Sequence, residues 1–135
     1  ARVAYEAYEN AFNNDPRWAE LEAAGGKRQR PLWASTGVKN PDYSKTLYVD
    51  GLVGGDVVNT MPEATLNAVA EVSVATSDTL SGLGVESAAI IEKVKSLGID
   101  FDAELAKLES DGVASFISSW QDLLDDVQGK IDSVK

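Results

Sequence analysis

The chain of 135 residues contains no cysteine and no histidine. Those absences exclude, for this chain taken alone, disulfides, cysteine-type zinc sites, cysteine nucleophiles and every mechanism that needs an imidazole. A chain without cysteine suits a reducing cytoplasm. Positive charge is also scarce: 12 Lys and Arg stand against 22 Asp and Glu, for a formal net charge of −10. Nucleic acid and anionic membrane both select a basic footprint, so neither is expected as the main partner. No apolar run approaches the ~18–20 residues needed to span a bilayer, and no signal-peptide pattern opens the chain. What is present, 44% hydrophobic and 25% charged residues, is the composition of one soluble, cytoplasmic-type globular domain.

Helical periodicity begins at once. In "ARVAYEAYENAF" the apolar positions Val3, Ala4, Ala7, Tyr8, Ala11 and Phe12 share one face, with no capping residue ahead of them. A helix that starts in mid-pattern predicts that the chain is part of something longer; a trimmed or frayed terminus is the plainer alternative. That helix should end near Asn13-Asn14, and Asp15-Pro16 should cap and start a second one that stops at Gly25-Gly26. A short strand is expected from about Leu32 to Ser35, and a second one at Val57-Val58. Between them "SKTLYVDGLVG" reads as a short helix with Leu47, Val49 and Leu52 partly buried. Thr60 and Glu63 have capping-box spacing ahead of the helix "EATLNAVAEV". The polar link "SVATSDTLSG" predicts no strong structure. Beyond it come three helices: Val85 to Leu97, stopped by Gly98; a helix carrying Phe101, Leu105 and Leu108; and a last helix from Val113. The last carries an apolar stripe, Phe116, Ile117, Trp120, Leu123, Leu124, Val127 and Ile131, that reads as a packing face.

Two short buried strands, each followed by helix, are the grammar of parallel βα units. Two strands alone make no stable sheet, so these units call for strand partners outside the chain.

Charge is unevenly spread. From Asp100 onward nine acids face three lysines, which reads as a solvated helix face. From Gly25 to Lys45, by contrast, Lys27, Arg28, Arg30, Lys39 and Lys45 face Asp42 as the single acid. This basic segment surrounds the end of the first strand, "PLWASTGVKNPDY". Ligands of α/β proteins bind beyond the carboxyl ends of parallel strands. A phosphate requires hydroxyl and N–H donors and a cation without bulk in the way, and Ser35, Thr36, Gly37 and Lys39 supply those elements. By residue types alone, a surface loop with a solvated lysine accounts for the stretch equally well.

The run "QRPLWASTGVKNPDYSKTLYVDGLVGGDVVNTMPEATLNAV", Gln29 to Val69, resembles the C-terminal part of transaldolase, in the longer bacterial form seen in actinobacteria. "WASTGVKNP" and "VNTMPE" carry the resemblance at the family's spacing, and "GVASFISSWQDLL" is similar to its terminal helix. The link after Val72 departs from the pattern, since the family usually carries His-Gly there. The resemblance implies an α/β fold: the last two βα units of a (β/α)₈ barrel in residues 1–82, and a helical C-terminal extension in 83–135. It also implies a cytoplasmic enzyme of the pentose phosphate pathway that moves a dihydroxyacetone unit between sugar phosphates through a lysine Schiff base. Substrates of the fructose 6-phosphate, sedoheptulose 7-phosphate and erythrose 4-phosphate class follow, with no metal and no organic cofactor. Ser35 and Lys39 would hold the substrate phosphate, with Thr36 and Asn40 assisting. Many relatives carry arginine in the place of Lys39, so an ammonium replaces a bidentate fork. A barrel needs ~250 residues, so the N-terminal part of the same barrel becomes a partner. No lysine here matches the Schiff-base context, so the fragment by itself is expected to be inactive. A related Schiff-base sugar-phosphate aldolase, and a non-catalytic acidic helical module that binds a protein, are the alternatives.

Overall fold

The structure is a computed structural model that describes residues 1–72 and 77–134. The chain divides into two compact units, Ala1–Ile91 and Glu92–Lys135.

The first unit opens with helix α1, Arg2–Glu9, which runs on through a π-helical turn over Asn10–Asn14. Its aromatic face continues into helix α2, Pro16–Ala23. Tyr5, Tyr8, Phe12 and Trp18 stack in series with ring centroids 5.8, 5.2 and 4.8 Å apart. The start of α2 is as the sequence requires. Asp15 caps it by accepting from the Arg17 N–H at 2.9 Å, and Pro16 occupies the first turn. The Arg17 side chain donates to both Asp15 carboxylate oxygens, each at 3.0 Å.

These hydrogen bonds, led by the one from the Arg17 side chain, hold the Asp15 carboxyl down at about 2 against an ordinary 3.8. A depressed carboxyl stabilises the folded state above its unfolded value. The contribution is therefore complete above pH ~4 and is lost as pH falls toward about 2. An NMR titration is expected to find the Asp15 carboxyl turning near 2 and, in Arg17→Ala, back toward 3.8. A wild-type midpoint near 3.8 would show that the cap carries no linkage.

Strand β1, Leu32–Trp33, pairs in parallel with strand β2, Val58–Asn59, with Leu32 opposite Val58 and Trp33 opposite Asn59. The ladder is carried by Val58 N–H to Pro31 O and Thr60 N–H to Trp33 O, both 2.9 Å. β1 is shorter than the expected Leu32 to Ser35, because the ladder stops where the chain turns at Ser35, and β2 keeps the expected length one residue further on than Val57-Val58. Between them lies the expected short helix, α3, Leu47–Asp50. After β2 comes helix α4, Glu63–Glu71. The capping box does not form. Pro62 is the N-cap, without a side-chain bond, which leaves Thr60 two residues too early; its hydroxyl turns instead to Trp33 O, 3.4 Å away.

The polar link is where sequence reasoning misses most. Residues 73–76 lie outside the described residues, but 77–83 are knitted into the unit. Leu80 is its most buried side chain, at 1% exposure, and packs with Tyr5 against the backbone at Gly54. The Thr79 N–H donates to Val53 O at 2.8 Å, its hydroxyl oxygen accepts the Val53 N–H at 2.9 Å, and its carbonyl accepts from Arg2 Nε at 3.0 Å. Asp78 accepts the N–H groups of Leu80 and Ser81 at 2.8 and 2.9 Å and the Ser81 hydroxyl at 2.6 Å. Tyr5 Oη donates to Gly55 O at 3.0 Å and completes the cluster. Helix α5, Gly84–Ser96, then begins within the first unit.

The second unit holds helix α6, Phe101–Ser133, a single 33-residue helix in place of the two expected. Gly112 does not break it: a glycine costs a helix about 1 kcal/mol, and a Lys107–Asp111 ion pair ties the preceding turn. Asp100 caps it through the Ala103 N–H at 3.0 Å. Its apolar stripe lies open, with Phe116 82% and Trp120 61% exposed. Among the described residues, no helix is long and apolar enough to cross a membrane.

Candidate functional site

The parallel pairing brings the carboxyl ends of β1 and β2 to one edge. The chain leaves that edge twice: through 35–46 after β1, and through Thr60–Pro62 into α4. Ser35 is the turning point. It sits at φ +54, left-handed backbone that a residue with a Cβ adopts at a cost of order 1 kcal/mol. Ser35, Thr60, Met61 and Pro62 line a depression of about 260 Å³ at this edge. Gly37 follows, and a Cβ there would stand 3.0 Å from Pro62 Cγ, closer than side chains ordinarily pack. The loop after β1 is thus pressed against the entry to α4, which keeps bulk away from the strand ends.

Thr36 behaves differently from its neighbours. It is buried, 5% exposed, and its hydroxyl donates to Asn59 Oδ1 at 2.6 Å, with Thr60 O as a second acceptor at 3.1 Å. Its N–H also reaches Thr60 O, at 3.3 Å. Lys39 is exposed and makes no ion pair among the described residues. Asn40 is exposed and folds its amide oxygen back to accept the Asp42 N–H at 3.0 Å, an Asx-turn. The loop closes on Thr46, 5% exposed, whose hydroxyl donates to Asp50 at 2.6 Å and meets Ser44 Oγ at 3.1 Å.

The basic segment is not one patch. Arg28 precedes β1 and is tied away from the carboxyl edge: it donates to Asn13 Oδ1 at 2.9 Å and lies 5.9 Å over the Trp18 ring. Arg30 borders a separate groove of about 410 Å³ with Tyr8, Phe12, Leu32 and Trp33. Of the five cations, Lys39 and Lys45 follow the strand. Lys45 lines a third hollow with Val38, Ala64 and Thr65.

Among the described residues no lysine is buried. Lys95 is hydrogen-bonded by Asp102 at 3.3 Å, which holds its ammonium above the usual lysine range. That direction is opposite to what a nucleophilic amine requires. Nor do the described residues gather three carboxylates that could hold a metal ion. Sequence reasoning did not single out Asn59, whose amide receives Thr36 and donates from Nδ2 to Tyr48 O at 3.2 Å. The one available signal was an amide at the end of a β-branched run.

The family model for transaldolase/fructose-6-phosphate aldolase matches residues 1–127. A transaldolase of Mycolicibacterium smegmatis is 51% identical over 135 residues, which is 100% of this chain and 36% of that protein. Transaldolases of Mycobacterium leprae and Mycobacterium ulcerans are each 48% identical over 134 residues, 99% of this chain and again 36% of theirs. The chain thus spans about a third of the length of the curated relatives it matches. With a family match over nearly its whole length, the chain belongs to the transaldolase/fructose-6-phosphate aldolase family.

Proposed function

We propose that this chain is the phosphate-recognition portion of a transaldolase, the last two βα units of its barrel with the helical C-terminal extension. The complete protein works in the cytoplasm and passes a dihydroxyacetone unit from a ketose phosphate to an aldose phosphate, as in the pentose phosphate pathway. The observation that carries this reading is the carboxyl edge of the parallel strands. There Ser35, in left-handed backbone, lines a depression with Thr60, Met61 and Pro62, and Lys39, four residues further on, is exposed and without an ion pair among the described residues. Ser35 donates its hydroxyl to the substrate phosphate, Lys39 neutralises it, and Asn40 holds the loop that presents the lysine. Fructose 6-phosphate, sedoheptulose 7-phosphate and erythrose 4-phosphate share the terminal phosphate such a site anchors.

The chemistry belongs to a lysine outside this chain. Its amine condenses with the ketose C2 carbonyl, water leaves, and the C3–C4 bond breaks to release an aldose phosphate. The three-carbon carbanion held as the enamine then adds to the acceptor aldehyde, and water frees the product. Neither a metal nor an organic cofactor enters these steps. The incomplete sheet supports the barrel reading. Leu32 is 54% exposed, and Tyr8 Oη and Trp33 Nε1, both bordering the 410 Å³ groove, are buried without a hydrogen-bond partner among the described residues. Buried polar atoms are paired in complete folds, and further barrel strands would cover this groove.

Borohydride reduction of the complete enzyme with fructose 6-phosphate tests the division of labour. One lysine is expected to carry a three-carbon adduct, in a peptide outside these 135 residues. An adduct on Lys39, Lys93 or Lys95 would overturn it. Trapping with simple aldol donors in place of the ketose phosphate separates a transaldolase from a related aldolase.

A further inference from the structure

We infer that Thr36 and Asn59 are positioning residues, a clamp that holds Ser35 in its left-handed conformation at the phosphate site; the inference rests on the phosphate-loop reading above. Ser35 cannot hold this conformation on local preference, because φ +54 disfavours any residue with a Cβ. Something beyond it must fix the chain, and the next residue does. Thr36 is buried with its hydroxyl committed to Asn59 Oδ1 at 2.6 Å, so it has no free donor to offer a ligand. Asn59 is in turn oriented from two sides. Its Oδ1 must accept the threonine proton, and its Nδ2 must donate to Tyr48 O at 3.2 Å. Only the amide, with one acceptor and one donor end, satisfies both. Asn59 stands in register with Trp33 on the paired strand. The clamp therefore joins the end of β2, the loop after β1 and helix α3 at one point. In this arrangement Ser35 contacts the phosphate, and Thr36 and Asn59 act through it.

Shape and hydrogen bonding can be separated at both positions. Thr36→Val keeps the shape and removes the hydroxyl; Thr36→Ser keeps the hydroxyl. In the complete enzyme Thr36→Val is expected to raise KM for fructose 6-phosphate about tenfold, the scale of one neutral hydrogen bond. The inhibition constant of inorganic phosphate should rise in parallel, with kcat within about twofold. Thr36→Ser should stay near wild type in all three. KM and the inhibition constant do not depend on how much enzyme is folded, so a merely destabilised protein leaves both unmoved.

Lys39→Ala is measured alongside. If Lys39→Ala raises KM and Thr36→Val does not, the clamp is overturned and the phosphate loop stands. If neither moves KM, the loop reading falls and the clamp with it. Should Thr36→Val yield no soluble enzyme, Asn59→Asp replaces it. Asp keeps the acceptor for Thr36 but sets a carboxylate against Tyr48 O, and an unchanged KM there overturns the clamp as well.

Discussion

Replacing Lys39 with alanine in the complete enzyme is expected to raise KM for phosphorylated sugars by about 10–100-fold, the scale of one lost charged hydrogen bond. Lys39 is exposed and free of carboxylate partners among the described residues, so its ammonium is available to a ligand and little folding energy depends on it. A solvated lysine elsewhere on this acidic chain would be silent on replacement. Steady-state kinetics at two salt concentrations checks the assignment. A phosphate contact weakens as ionic strength rises, and the wild-type advantage over Lys39→Ala should shrink with it. Lys39→Arg should keep most of the affinity, because a guanidinium offers the phosphate two donors where the ammonium offers a point charge. An unchanged KM in Lys39→Ala would remove this residue from the site.

The second large effect concerns stability. Leu80→Ala is expected to lower the unfolding free energy by about 2–5 kcal/mol, as large-to-small changes at fully buried positions do. Leu80 is 1% exposed, and the packing around it is close enough that a Cβ added at Gly54 would stand 2.8 Å from Leu80 Cδ1. Backbone and side chain meet there with no room to collapse, which places the expected cost toward the upper end of that range. Denaturant unfolding of the complete protein reads the change. The position lies far along the chain from the phosphate loop, so the KM of Leu80→Ala should stay at the wild-type value. A loss below about 1 kcal/mol would mean that the cluster with Tyr5 is not part of the folded core.

Much of the local structure was legible in advance, for reasons that stay within a few residues. The α2 cap followed from Asp15-Pro16, where a carboxylate accepts the first free N–H and the pyrrolidine ring presets φ. The two strands followed from short apolar runs ahead of polar turns, and their parallel pairing from the helices after them. Gly112, by contrast, read as a boundary and proved to lie inside α6. A glycine weakens a helix without stopping it, and the flanking turns outweigh one weak position. The capping box failed because Thr60 stands two positions ahead of the true N-cap, a register that Pro62 sets and spacing alone does not reveal.

By itself, the sequence determined the kinds of element, their order, the family, and the residue types gathered after the first strand. Only the tertiary structure decided what each of those residues faces. On paper Ser35 and Lys39 hold the phosphate with Thr36 and Asn40 assisting, yet Thr36 is buried against Asn59 while Ser35 and Lys39 stay exposed. The basic segment divides because Arg28 is drawn to Trp18 and Asn13. Leu80, in a stretch with no periodicity, becomes a core residue through partners at Gly54 and Tyr5. The physical reason is the range of the forces involved. Caps and helical faces are settled by neighbours within a turn, whereas burial of one side chain depends on contacts 23 to 77 residues away along the chain.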